Sequence, residues 1–493
     1  MAALFRAIMS IFLVTATASM SNAAEASSVM DTIMEYNDLI NGIVWGPWMC
    51  AFIVGVGVYL TVILGFPQFR YFFISLKQVF GKNKSAKSDG SISSFAALAT
   101  ALAATVGTGN IAGVATALHL GGPGALFWML VSAVFGMATK FSEVALAVKF
   151  REKDADGNWR GGTMHVLEKG TGQKWLAWLF AIFAFLASFG IGCAVQANST
   201  AEGIKLGFNV PVMYTGIVLA LLVAAVIIGG LQSLAKVTTL LVPLMAVFYI
   251  IGAGWVAIEN AGKIPEVFSN AVKYAFTDPM AMPGAVAGWT MKMAVQKGIA
   301  RGIFSNEAGL GSAPMVHAAA TVDHPIRQGL YGIFEVFADT IVICTLTALT
   351  IMLTGTLTAA PELTGSQLTL AAFEVGLGVT YGKIVLPVAL SLFAFTTILG
   401  WYWYSETAAV YIFGTWIKNV VKILFVAITL IGACGGDLLG GSNLFLTHLW
   451  DIADTLNGLM AIPNLIALVI LGGAMRALVK DFDDKRKKGE LKI

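Results

Sequence analysis

Residues Val106–Ala115 read VGTGNIAGVA and lie inside an apolar run that otherwise has the makings of a membrane helix. Each glycine costs a helix interior about 1 kcal/mol relative to alanine. Gly107, Thr108, Gly109 and Asn110 together therefore predict a helix that unwinds in the middle of its span. Unwound backbone is tolerated at membrane depth only where it is buried in protein or lines a cavity, so the stretch marks a candidate site.

The rest of the composition places this break in a bilayer. The 493 residues are 57% hydrophobic and 12% charged, whereas soluble domains are about 25% charged. A formal net charge of +3 is too small to point to a polyanion, and no nucleic acid is expected as a partner. Cys50, Cys193, Cys344 and Cys434 fall in apolar runs without metal or redox spacing and read as packing residues. His119, His165, His317, His324 and His448 likewise show no zinc-type spacing.

Residues 1–24, with Arg6, an apolar stretch from Ile8 to Ala18 and small residues at Ser21, Ala23 and Ala24, read as a cleavable signal peptide; an uncleaved anchor is the alternative. Windows of about 20 apolar residues, the length that spans a bilayer, then recur near 45–66, 92–118, 123–150, 174–200, 211–230, 233–258, 287–320, 326–356, 383–413, 418–436 and 447–475. The expected fold is thus an all-α membrane protein of about 11 transmembrane helices. Arg70, Lys77, Lys82, Lys84 and Lys87 follow the first window, Lys149 to Lys174 the third, and KDFDDKRKKGELKI ends the chain. Connections on the other side hold Lys205, Lys263, Lys273 and Lys383. The positive-inside rule then makes the C-terminus cytoplasmic and the mature N-terminus external.

In the seventh window IFSNEAGLGSAP repeats the interruption, and Asn306-Glu307-Ala308-Gly309 matches Asn110-Ile111-Ala112-Gly113. The two breaks are five windows apart. An odd offset means that two five-helix repeats, 92–258 and 287–478, cross the membrane in opposite directions, the arrangement in which paired interrupted helices mark a transporter's substrate site. Small-residue helix packing is the plainer explanation of such a match. The remaining divisions are 25–66, an external N-terminus and extra first helix; 67–91, a basic cytoplasmic loop; 259–286, an external loop; and 479–493, a basic cytoplasmic tail.

Freed N–H groups can hold a carboxylate, and freed carbonyls and hydroxyls a cation. In LFAFTTILGWYWYSE the hydroxyls of Thr396 and Thr397 suit a hard cation, and Trp401, four residues after Thr397, shares its helix face. Back-bonding threonines and an interfacial aromatic belt account for the same residues without a site.

VGTGNIAGVATALHLGGPGALFWM, RGIFSNEAGLGSAP and TTILGWYWYSE together resemble the alanine/glycine:cation symporter family, and the resemblance runs over essentially the whole chain after residue 24. It implies a leucine-transporter-like 5+5 inverted repeat with one additional N-terminal helix in the bacterial plasma membrane. It also implies sodium-driven uptake of a small neutral amino acid, alanine or glycine, with Na+ as coupling ion, no other cofactor and membrane lipid around it. The carbonyls of Ala103 and Val106 with Thr396 and Thr397 would form the sodium site. Thr108, Gly109, Asn110, Gln196, Phe304, Ser305, Asn306 and Trp401 would meet the substrate, with Trp401 limiting it to very small side chains. The oligomeric state is not legible.

Other classes fit less well. A channel calls for continuous polar linings, and an intramembrane hydrolase for an acid pair or a nucleophile with its base; neither pattern is present. Within transporters, proton coupling through Glu307 or Asp339 is the rival. Arg301, a costly charge inside a span, is expected to pair with Asp339 or Glu335 at an external gate, or else to snorkel to the interface.

Overall fold

The computed structural model describes residues 23–81, 89–282, 284–438 and 444–491; the signal-like segment, apart from Ala23 and Ala24, lies outside them. Among the described residues eight helices are long and apolar enough to cross a membrane, and nine if the bent pair Ser94–Thr105 and Gly109–Gly121 counts as one span. Two of the expected windows fall short of that criterion. The fifth forms a helix of 17 residues, Val212–Ile228. The seventh stops as a helix at Asn306 after 16 residues that include Lys292, Lys297 and Arg301, because the second break ends it early.

The first window is preceded by another helix, Ala23–Val44, which turns at Gly46 into Pro47–Ile63. The connections are also more ordered than loops. Phe72–Phe80 lies in the basic connection and docks on the helix Pro325–Val336, where the Ser75 hydroxyl donates to Leu330 O at 2.6 Å. Ile264–Phe276 lies in the opposite connection, with Val267, Ala271 and Tyr274 turned inward.

Helix Gly124–Lys149 is the hub, packing against Met291–Asn306 on one flank and Pro325–Val336 on the other. Close approach there depends on missing side chains, as is usual between membrane helices. A Cβ at Gly298 would lie 2.4 Å from Ala125 O, and one at Gly302 2.4 Å from Ser132 Oγ. A second group forms where Val379–Phe413 packs along Lys174–Phe208. The two groups meet at the first break, with Gly400 of Val379–Phe413 against the backbone of Ala104.

At the basic end, the start of the first broken span and the end of the second are joined by a short parallel bridge, Ile92 with Ala320 and Ser93 with Thr321. Arg151 clamps it by donating to Ala318 O, Ala320 O and Asp89 O.

Candidate functional site

The first broken span bends by 52°. Its first half ends at Thr105, Val106 leaves the helix at φ −80° and ψ 92°, and a wide π-type turn over Gly109–Gly113 restarts it. The freed groups find specific partners. The Gly107 N–H donates to Asn110 Oδ1 at 2.9 Å, and the Thr108 N–H to Gln196 Oε1 at 3.3 Å. The Thr397 hydroxyl lies 3.0 Å from Ala103 O and 3.3 Å from Val106 O. Two carbonyls and a hydroxyl thus converge, an uncharged oxygen set that suits a hard monovalent cation. Thr396 stands apart, because its hydroxyl is bonded back to Leu392 O and Phe393 O and touches Met245 Sδ.

The second broken span ends differently. Glu307 takes a left-handed conformation at φ 55°, and Gly309 and Gly311 follow at φ 97° and 80°. Asn306 Oδ1 accepts from the Ala308 N–H at 2.9 Å, the same capping service that Asn110 gives Gly107. The two breaks touch: a Cβ at Gly109 would lie 3.2 Å from the Phe304 ring and 3.6 Å from Ser305 Cα.

Asp339 joins them. It lies in a π-type turn, Phe337–Cys344, of the eighth window's helix. Its carboxylate accepts from Asn110 Nδ2 at 2.6 Å, Ser305 Oγ at 2.8 Å and Thr340 Oγ1 at 2.7 Å, and Asn306 Nδ2 donates to Thr340 at 3.1 Å. Cys344, read from sequence as packing only, also touches Asn110 and Ser305. Thr108, Asn110, Gln196, Ser305, Asn306, Asp339, Thr397 and Trp401 are all buried, so these side chains at the junction are shielded from solvent.

Trp401, which the resemblance sets against the substrate, faces the helix Lys174–Phe208. Its ring sits against Gly192, where a Cβ would approach Trp401 Cβ to 2.4 Å, and edge-on to Tyr404. It therefore lies one helical turn toward the basic end from both Thr397 and Gln196.

The expected gate is corrected. Arg301 pairs with neither Asp339 nor Glu335: three uncharged donors already satisfy Asp339, and Glu335 is engaged by Lys140 at 3.3 Å and His317 at 2.9 Å. The Arg301 guanidinium instead lies over the Phe304 ring at 5.3 Å and faces a cavity shared with Asp454. A long flexible stem lets the charge move toward the wetter end while its carbons cover apolar surface.

Of the charges around the second break, sequence reading named Glu307 and Glu335 but passed over Lys140 and Glu143. Lys140, Glu143, Glu307 and Glu335 are all buried. Glu143 accepts from the Gly309 N–H at 3.0 Å and from Asn464, and Glu307 accepts from the Ser312 hydroxyl. The Thr163 hydroxyl completes the collar, 3.0 Å from both Gly311 O and Asn464 Oδ1 and able to donate to either. Lys140 and Glu143, three residues apart within an apolar window, were a usable signal, since ionisable residues inside spans are costly and functional by default.

The basic end is closed by a separate ionic layer. Arg160 pairs with Asp154 and Glu406, both at 2.7 Å, and stacks on Trp403 at 4.6 Å. Lys418 joins Asp154 and Asp156. In the adjoining loop, the hydrogen bond from His165, opposed by partial burial and reinforced by Lys169, holds the Glu152 carboxyl down at about 2.

Two facing half-repeats with interrupted helices, meeting at a buried polar junction, are the architecture of a secondary transporter. A crystal structure of MhsT in complex with L-phenylalanine shares this leucine-transporter-like fold, with a TM-score of 0.54 at 13% identity over 80% of this chain and 99% of that one. The chain belongs to the sodium:alanine symporter family, which it matches over residues 7–493. It is 45% identical over 455 residues to the sodium/alanine symporter AgcS of Methanococcus maripaludis, covering 91% of this chain and 97% of that one. It is 38% identical over 460 residues to the amino-acid carrier protein AlsT of Bacillus subtilis, covering 92% and 94%.

Proposed function

We propose that this multi-pass membrane protein couples inward movement of Na+ to uptake of alanine or glycine by alternating access, in a bacterial plasma membrane with its C-terminus cytoplasmic. The observation that carries the reading is the oxygen set at the first break, Ala103 O, Val106 O and Thr397 Oγ1. It adjoins the contact between Gly109 and Phe304–Ser305. The cation binds to the oxygens. The amino acid lies across the two breaks, within reach of Thr108, Asn110, Gln196, Ser305 and Asn306. Asn110 and Gln196 already serve backbone N–H groups, so the substrate exchanges with bonds that hold the closed junction together. Trp401 on Gly192 limits side-chain size from below, and overpacking a filled pocket costs about 1–3 kcal/mol. The relatives' names, one sodium/alanine symporter and one amino-acid carrier, support the same pairing.

One Na+ entering with a zwitterion carries one net charge. At about 2.3 kcal/mol per 100 mV and 1.36 kcal/mol per tenfold, the field alone supports roughly fifty-fold accumulation. The test is labelled alanine and glycine uptake into proteoliposomes. Uptake should vanish when choline replaces sodium at fixed pH, and should rise with an inside-negative potential. Uptake indifferent to sodium that collapses when the proton gradient is dissipated would transfer the coupling to protons.

A further inference from the structure

At the end of the molecule opposite the basic loops, a cavity of about 70 Å³ is lined by Asn41, Trp45, Lys297, Arg301, Phe304 and Asp454, among others. It brings together both signs of charge without pairing them. Among the described residues, neither Lys297 nor Arg301 has an ion pair with Asp454 within 4.0 Å. Asp454 Oδ2 accepts from Asn41 Nδ2 at 3.2 Å, while Oδ1 is shielded from solvent and has no hydrogen-bond partner among the described residues. A buried carboxylate oxygen left unsatisfied is costly, and two cations stand in the same cavity. What keeps them apart is the scaffold. The Trp45 Nε1–H donates to Asp454 O at 3.0 Å and pins that helix. Arg301 lies over the Phe304 ring with its stem alongside Gly113.

A ligand that completes this arrangement carries a cationic donor for Asp454 Oδ1 and, at the other end, an anion for Arg301 and Lys297. The cavity is far below the roughly 300–1,000 Å³ of pockets for drug-sized ligands, and the head group of a small α-amino acid carries both charges on one compact group. The position fits a way-station, since Phe304 both walls the cavity and covers Gly109 of the first break. We propose that this cavity is an external loading site for zwitterionic α-amino acids. The ammonium sits on Asp454, the carboxylate on Arg301 and Lys297, and Phe304 is the door to the central site. The proposal rests on the amino-acid uptake reading above and adds a second, outer position for the same substrate.

The experiment measures labelled alanine uptake in proteoliposomes for wild type, Asp454→Asn, Arg301→Gln, Arg301→Lys and Lys297→Gln, with propionate and alaninamide as external competitors. For Asp454→Asn and Arg301→Gln, KM for alanine should rise at least tenfold while the maximal rate stays within threefold and the half-saturating sodium concentration is unchanged. Arg301→Lys should recover most of the loss. Propionate, which lacks the ammonium, should inhibit wild type at least tenfold more weakly than alanine, and the gap should narrow in Asp454→Asn. Alaninamide, which lacks the carboxylate, should show the matching change in Arg301→Gln. A KM within twofold of wild type in both neutral variants overturns the loading site, as does a rise matched by an equal change in sodium affinity. Should Asp454→Asn fail to give a monodisperse protein, Lys297→Gln decides, with a threefold or greater rise in KM supporting the site and no change opposing it. The wild-type sodium dependence reports separately on coupling, so sodium-independent uptake with the same variant pattern would remove the coupling reading and leave the loading site standing.

Discussion

The two breaks share a four-residue motif and differ at its second position, Ile111 in one and Glu307 in the other. Both asparagines do the same backbone work, each capping a freed N–H and each reaching the neighbouring pair Asp339 and Thr340. Beyond that they diverge. Ile111 is buried in an apolar cluster with Tyr249 and Phe373, so the oxygens that converge at the first break, two carbonyls and a hydroxyl, are uncharged. Glu307 sits among Lys140, Glu143 and Glu335, and Asn464, Thr163 and Ser312 tie that turn down. The same interruption therefore brings uncharged oxygens together on one side and builds a charged, tied-down collar on the other.

The sharpest way to break this contrast is to take the cation out of the collar. Lys140→Met takes the neighbouring cation away from three buried glutamates, among them its ion-pair partner Glu335, and removing one member of a buried ion pair costs about 3–5 kcal/mol. A large drop in the thermal unfolding midpoint of the detergent-solubilised protein is expected, with part of it recovered by the added change Glu335→Gln. An unchanged midpoint would show that the second break does not depend on charge.

At the first break the expected loss falls on sodium affinity and not on folding. Thr397→Val removes the hydroxyl from the oxygen set; contacts to a charged group are worth about 1.5–3 kcal/mol, so half-saturating sodium should rise roughly ten- to hundredfold. Thr396→Val, whose hydroxyl serves its own helix, should change it less than threefold. Sodium titrations of alanine uptake distinguish the two, and equal effects would mean that Thr396 turns into the site during the cycle.

A smaller effect is expected for Gly192→Ala, where the new methyl group pushes on the Trp401 ring. Overpacking costs about 1–3 kcal/mol and should appear as altered competition by valine against alanine. An unchanged rank order of competitors in folded protein would remove Trp401 from size selection.

The smallest effect lies outside both breaks. Glu152 is bonded to His165 and Lys169 in the basic loop. Because its folded value lies below the ordinary carboxylate value, its contribution is present above about 4.5 and is lost as the pH falls toward about 2. The group is half-exposed, and such pairs are worth about 0.2–1 kcal/mol. Glu152→Gln should therefore lower stability by less than 1 kcal/mol at pH 7 and leave uptake between pH 6 and 8 unchanged.

How much of this was legible differs by the range of the interactions involved. The breaks, their repetition at an odd spacing and the membrane class were readable because glycine and asparagine within apolar runs act on their own helix, whatever surrounds it. The meeting of Ala103 and Val106 with Thr397 entered through family resemblance, since nothing local in TTILGWYWYSE tells Thr397 from Thr396; that choice depends on which face of Val379–Phe413 turns toward the first break. Lys140 and Glu143 were visible as charges in an apolar window, but Glu335 and Asn464 are far away in sequence, so their roles appear only once the helices pack. Arg301 shows the limit most directly. Its cost inside a span was evident from the chain, yet its neighbour was misassigned, because a buried carboxylate such as Asp339 can be satisfied by neutral donors and release the cation to face Asp454. Local sequence determined where the helices break; tertiary packing decided which oxygens and which charges face each other across the breaks, because side chains hundreds of residues apart acquire partners only when the helix faces are set.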